Sequence, residues 1–133
     1  LTIVQEEGDL ERALEVAGNY SNDILIEKYV PGREMTVAIL GDRPLPVIEI
    51  KPKHGIYDYE CKYQSGMTTY EVPANISEEL RDQLQEMALR SHSSLGCRHY
   101  SRVDFRVDDQ DNPFCLEVNT LPGMTKTSLV PKA

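Results

Sequence analysis

Hydrophobic positions change period several times along this chain, and each change predicts an element. Residues 8–18, "GDLERALEVAG", set Leu10, Ala13, Leu14 and Ala17 at helical spacing behind Asp9. "DILIEKYV" (23–30) reads as a buried strand, and "PGR" after it as a turn. "EMTVAILG" (34–41) and "LPVIEI" (45–50) read as two more strands joined through "DRP". From Lys51 to Ala74 the period dissolves into Gly, Pro, Lys and Tyr. A loop of that length inside a compact domain is uncommon and is often functional. Ser77 then caps a helix running to about Leu95, with Leu80, Leu84, Met87, Ala88, Ser91 and Leu95 on its inner face. Gly96 suits the left-handed residue that ends it. The order helix, meander, loop, helix, hairpin predicts an α+β fold with a largely antiparallel sheet.

The hairpin "RVDFRVDDQDNPFCLEVN" (102–119) alternates most strictly. If it closes symmetrically about Gln110–Asp111, then Asp104 faces Glu117 and Arg102 faces Asn119. Period-2 geometry then puts Val103, Phe105, Val107, Phe114, Leu116 and Val118 on one buried face. Arg102, Asp104, Glu117 and Asn119 gather on the other. Opposed carboxylates repel unless a proton or cation lies between them. Hard oxygen ligands without His or Cys suit Mg²⁺ shared with phosphate oxygens, and an arginine beside them suits the same phosphates. A solvated face with Arg102 pairing Asp104 or Glu117 is the competing explanation, and pattern alone leaves both open. "DDQDN" (108–112) lacks the glycine and final glutamate of an EF-hand loop and reads as a turn.

Charge narrows the partners. The chain has 133 residues and a net charge of -8, and no basic run exceeds "KPKH", which argues against nucleic acid and anionic membranes. No apolar run approaches the ~20 residues of a membrane span, and no signal-peptide pattern is visible. The start at Leu1 suggests a piece of a longer protein. Cys61, Cys97 and Cys115 lack CxxC spacing, so free thiols in a reducing cytoplasm are expected. His54, His92 and His99 form no metal motif and are expected to be structural or exposed.

The string "GCRHYSRVDFRVDDQDNPFCLEVNTLPGMTKTSLVP", together with "DILIEKYVPGREMTVAILGDRPLPVIEI" and "YDYECKYQSGMTTYEVPA", resembles the carboxy-terminal part of D-alanine–D-alanine ligases of the ATP-grasp superfamily. The resemblance covers nearly the whole chain. It implies that residues 1–32 end a central ATP-binding domain and that 33–133 form a carboxy-terminal domain truncated at its end. It implies ATP and two Mg²⁺ ions, with Mn²⁺ as an alternative, held by Asp104, Glu117 and Asn119. Arg102 and the Gly123 N–H would stabilise a tetrahedral intermediate. Glu27, with backbone groups of Lys28 and Val30, would read adenine. Leu116 would belong to the nucleotide site, Glu34 would take ribose hydroxyls, and Lys62 the terminal phosphate.

Ser128 and the Leu129 N–H would hold the carboxylate of the second D-alanine. "GIYDYECKYQSG" resembles a lid, and Tyr63 in it matches members that make a dipeptide, favouring D-alanine over D-lactate. The implied parent is a cytoplasmic ligase for peptidoglycan precursors, with a homodimer as one expected state of the intact enzyme. Two alternatives are a related ATP-grasp ligase with another acceptor and a nucleotide-binding module without catalysis.

Overall fold

The computed structural model describes residues 1–52, 68–126 and 128–133. A 3₁₀ turn (Glu7–Asp9) leads into α1 (Leu10–Gly18). Then follow β1 (Arg33–Leu40), β2 (Arg43–Pro44), β3 (Ile48–Pro52) and β4 (Thr68–Glu71). After them come α2 (Glu78–Ser94), β5 (Tyr100–Val107), β6 (Pro113–Asn119) and the short α3 (Leu129–Lys132). The strands make one antiparallel sheet ordered β4-β3-β1-β5-β6, with β2 paired to the end of β1. This is the α+β arrangement that the hydrophobic pattern predicts.

β5 carries the logic of the sheet. Ser101, Val103, Phe105 and Val107 are buried in strict alternation, while the residues between them are half-buried. Met35 and Val37 of β1 sit opposite Phe105 and Val103, so their side chains join the same face. Leu80, Leu84 and Ala88 of α2 seal that face into the main core, with Val118 of β6 packed at its margin. The Ser77 hydroxyl accepts the Leu80 N–H at 3.2 Å, and Glu78 and Glu79 complement the positive end of the helix.

Gly96 takes φ +63°, the left-handed exit expected of it. The inner face of α2 ends differently from the pattern. Its i+4 series runs Leu80, Leu84, Ala88, His92, and the buried His92 Nδ1 lies 2.7 Å from the Ser101 hydroxyl. Ser91 is only half-buried, and Leu95, expected on this face, lies in the cap beyond the last turn and is exposed.

A further expectation fails. Residues 23–30 form no strand among the described residues, and Leu25 and Ile26 are exposed at 81% and 67%. An apolar extended run becomes a buried strand only when a neighbour takes its backbone hydrogen bonds, and among the described residues no strand pairs with it. α1 forms as predicted, but Ala13, Leu14 and Ala17 are only half-buried and Leu10 is exposed.

β6 departs from the symmetric hairpin. Arg102 faces Asn119, Val103 faces Val118 and Asp104 faces Glu117, as expected. The next pair is Phe105 with Cys115, so Leu116 is an extra residue in β6. Past this bulge the parity flips, and Phe114 faces Arg106 instead of joining Val107. Phe114 and Leu116, both expected in the core, are 40% and 52% exposed. The turn itself is built on Asp108, whose carboxylate accepts the N–H groups of Gln110 and Asn112 at 2.9 Å each.

Candidate active site

The face of the sheet opposite α2 gathers the polar residues. Register places Glu34 and Thr36 of β1 beside Arg106 and Asp104 of β5, and Asp104 beside Glu117 of β6. Arg102 reaches along its own strand and donates through Nε and Nη2 to the two oxygens of Asp104, at 2.8 and 2.7 Å. Both side chains are about 15% exposed, shielded enough for the pair to hold its geometry. Thr36 Oγ1, fully buried, donates to Asp104 Oδ1 at 2.6 Å and lies 3.1 Å from the Val103 carbonyl. Asp104 is therefore oriented from two strands. Glu117 is exposed directly across the ladder, and Asn119 turns its Oδ1 back to accept the Leu121 N–H at 3.2 Å.

The chain after Asn119 returns over this same face. Its far end is anchored where Leu129 of α3 packs on Ile48 and Ile50, which lie beside Thr36 and Glu34 in the register. Lys132 Nζ sits 5.4 Å from the centre of the Tyr70 ring, fastening α3 to β4. Between these anchors, Gly123 and Ser128 come together. A Cβ on Gly123 would stand 2.7 Å from Ser128 Oγ, too close for any side chain without displacing Ser128. Ser128 Oγ accepts the Thr125 N–H at 3.0 Å and lies 2.9 Å from the Thr125 hydroxyl.

At the other end of the face, residues 27–32 run past the hairpin turn. Gly32 has φ +125°, and a Cβ there would meet the Val107 carbonyl at 2.1 Å, so only glycine lets the chain cross so closely. Arg106 Nε donates to the Val30 carbonyl at 3.0 Å, its Nη1 lies 3.7 Å from Glu34 Oε2, and its guanidinium stands 5.8 Å from the centre of the Tyr29 ring. The backbone and side-chain amides of Asn112 hold the Asp108 carboxyl below the ordinary carboxylate range, with the Lys28 ammonium adding a smaller attraction. Glu27 and Lys28 are exposed.

The structure thus brings together Arg102, Asp104, Glu117 and Asn119, and separately Gly123, Ser128 and Leu129. It sets Val30 and Glu34 around Arg106. Lys62 and Tyr63 lie outside the described residues. Among the described residues, no three His, Cys, Asp or Glu side chains converge as a metal ligand set; the candidate set is two carboxylates and an amide.

Sequence reasoning passed over Thr36, Arg106 and Thr125. Thr36 interrupts the apolar run of β1 directly opposite Asp104, and Arg106 continues the period-2 series Arg102, Asp104. Both signals were legible. Thr125 had none, because its meeting with Ser128 depends on how the tail folds. The described cysteines, Cys97 and Cys115, are unpaired thiols, as expected. Among the described residues, no helix is long and apolar enough to cross a membrane.

Such a sheet, with one apolar face under a helix and one polar face under a returning tail, is an α+β arrangement of the ATP-grasp class. Solved D-alanine–D-alanine ligases share it. A Bacillus anthracis enzyme complexed with ATP superposes at TM-score 0.80 and 33% identity, covering 97% of this chain and 40% of that one. A D-Ala:D-Ser ligase from Enterococcus faecalis superposes at TM-score 0.76 and 30% identity, covering 95% of this chain and 38% of that one. The chain belongs to the family described as D-ala D-ala ligase C-terminus, whose sequence model matches residues 1–133. A D-alanine–D-alanine ligase from Halalkalibacterium halodurans is 51% identical over all of this chain and 45% of its own length. One from Trichlorobacter lovleyi is 46% identical over 99% of this chain and 42% of its own. The chain spans less than half the length of these relatives.

Proposed function

We propose that this chain is the carboxy-terminal part of an ATP-dependent D-alanine–D-alanine ligase, with residues 1–32 belonging to its central domain. One observation carries the reading: Asp104 and Glu117 face each other in register beside Arg102 and Asn119. The donor set fits Mg²⁺, because two facing carboxylates and an amide oxygen are hard ligands. With Arg102 paired to Asp104, a cation would balance the charge of Glu117 across the ladder. Mg²⁺, or Mn²⁺ in its place, would be held by Asp104, Glu117 and Asn119. When bound, it would neutralise charge on the phosphates.

In the reaction, the γ-phosphoryl group passes from ATP to a carboxylate oxygen of the first D-alanine, leaving ADP. The amine of the second D-alanine then attacks that carbonyl carbon. The C–N bond forms, the C–O bond to phosphate breaks, and the amine loses its proton. Arg102, whose Nε and Nη2 bond Asp104, would donate through its remaining N–H groups to phosphate and to the oxyanion, with the Gly123 N–H as second donor. Ser128 and the Leu129 N–H would hold the acceptor carboxylate. Glu27, Lys28 and Val30 would read adenine, Glu34 would take the ribose, and exposed Leu116 would pack on the base. Lys62 would meet the terminal phosphate, and Tyr63 would favour D-alanine as acceptor. The product suits peptidoglycan precursor synthesis in the cytoplasm.

The decisive experiment is product analysis with the intact protein, ATP and Mg²⁺, offering D-alanine alone and then against D-serine and D-lactate. D-alanyl-D-alanine with stoichiometric phosphate is expected. The D-Ala:D-Ser neighbour shares this fold, so a mixed product would mark a ligase of another acceptor. Nucleotide binding with no product would mark a non-catalytic module.

A further inference from the structure

Arg106 is a charged residue on the site face to which the reaction gives no task. Its side chain is 13% exposed and its cross-strand neighbour Glu34 16%. A guanidinium this shielded needs partners, and it has three from separate parts of the chain. Nε bonds the Val30 carbonyl, 76 residues away in sequence, Nη1 attracts Glu34, and the cation stands over Tyr29. Residues 23–30 join no ladder among the described residues, and Arg106 gives the Val30 carbonyl its hydrogen bond there. With the Val30 carbonyl committed to Arg106, its N–H is the backbone group left to read a base. The attraction to Glu34 fixes where that carboxylate can reach.

We propose that Arg106 is a positioning residue for the nucleotide, holding the base-reading segment at Tyr29–Val30 and the ribose ligand Glu34 at one spacing. The proposal rests on the reading of Val30 and Glu34 as nucleotide contacts. It adds that a rigid fork sets the distance between them. Lysine does this less well, because its three donors sit on one nitrogen at the end of a flexible stem and lack the separated nitrogens of a planar fork.

The test measures affinity for ATP and for 2′,3′-dideoxy-ATP by calorimetry in the intact enzyme, for Arg106→Met, Arg106→Lys and Glu34→Gln. Arg106→Met should weaken ATP binding by about tenfold and shrink the preference for ATP over the dideoxy nucleotide. The kcat at saturating ATP and the KM for D-alanine should hold. Arg106→Lys should show the same pattern, more weakly, and carries the test if Arg106→Met does not fold. A lowered melting temperature with the ribose preference intact would mean a merely structural role and would overturn the proposal. Glu34→Gln is the control for the underlying reading and should abolish the ribose preference. If it does so while both Arg106 variants keep the preference, the positioning role is wrong and the site reading stands. If Glu34→Gln keeps the preference, the reading of Glu34 is wrong and the role of Arg106 falls with it.

Discussion

The two faces of the sheet are built from the same strands and obey different rules. Toward α2, residues 35, 37, 103, 105 and 107 are apolar and fully buried, and shape alone decides what fits. Toward the tail, residues 34, 36, 102, 104 and 106 are polar, and each is held by a directed bond or ion pair. One strand thickness separates packing from chemistry. The difference teaches that stability and activity should respond separately to substitutions only one residue apart in β5 and β6.

The strongest way to break that comparison is on the packed face. Phe105→Ala in the intact enzyme should destabilise this domain by about 3–5 kcal/mol, since the ring is fully buried and the cavity cannot refill. Denaturant unfolding checks it, and a loss below about 1 kcal/mol would mean the face is not a close-packed core. On the opposite face, Glu117→Gln keeps shape and removes charge. Turnover should fall at least about a hundredfold, equivalent to roughly 2.7 kcal/mol of barrier, with the melting temperature unchanged. Steady-state kinetics at saturating Mg²⁺ would expose the error if turnover stayed near normal.

A third test probes the rim, where a charge belongs to the packed face. Glu49 is buried beside Met35 in the register and receives Arg33 at 2.9 and 2.8 Å, with Lys51 at 3.3 Å. The hydrogen bonds from Arg33 hold its carboxyl below the ordinary range despite burial. A depressed folded-state pKa means stabilisation is present above the unfolded value of about 4.3 and is lost as pH falls through the folded value. Glu49→Gln should therefore cost about 1–2 kcal/mol at pH 7, reduced because Arg33 is partly exposed and can rehydrate. The gap between variant and wild type should close on acidification below about pH 4. Urea melts across that range decide it, and a gap independent of pH would show that the charge contributes nothing.

The smallest effect is expected at the bulge. Leu116 is half exposed, so Leu116→Ala should change stability by less than about 1 kcal/mol while weakening ATP binding severalfold. A loss of 2 kcal/mol or more, of the size expected for a core leucine, would return Leu116 to the packed face.

Legibility followed the range of the forces involved. β5 and α2 with its Ser77 cap and Gly96 exit were readable, because period and caps are local. Asp104 meets Glu117 as symmetric closure predicts only because the extra residue Leu116 offsets a turn centred on Gln110. The bulge at Leu116 was not readable, since one inserted residue leaves the alternation of β6 looking perfect while reversing which side Phe114 faces. Residues 23–30 misled for the opposite reason. Their apolar run is a genuine strand signal, but a strand exists only with a partner, and composition cannot say whether one is adjacent.

The sequence by itself determined which residues carry charge, the strict alternation of β5, and the family whose motif spans residues 102–131. Those are properties of single side chains and of short-range periodicity. Only the tertiary structure decided that Thr36 steadies Asp104, that Arg106 ties Val30 to Glu34, and that Ser128 fills the space beside Gly123. Each joins atoms from distant or separately folded segments. A hydrogen bond is settled by distance and direction, which no pattern along one chain encodes.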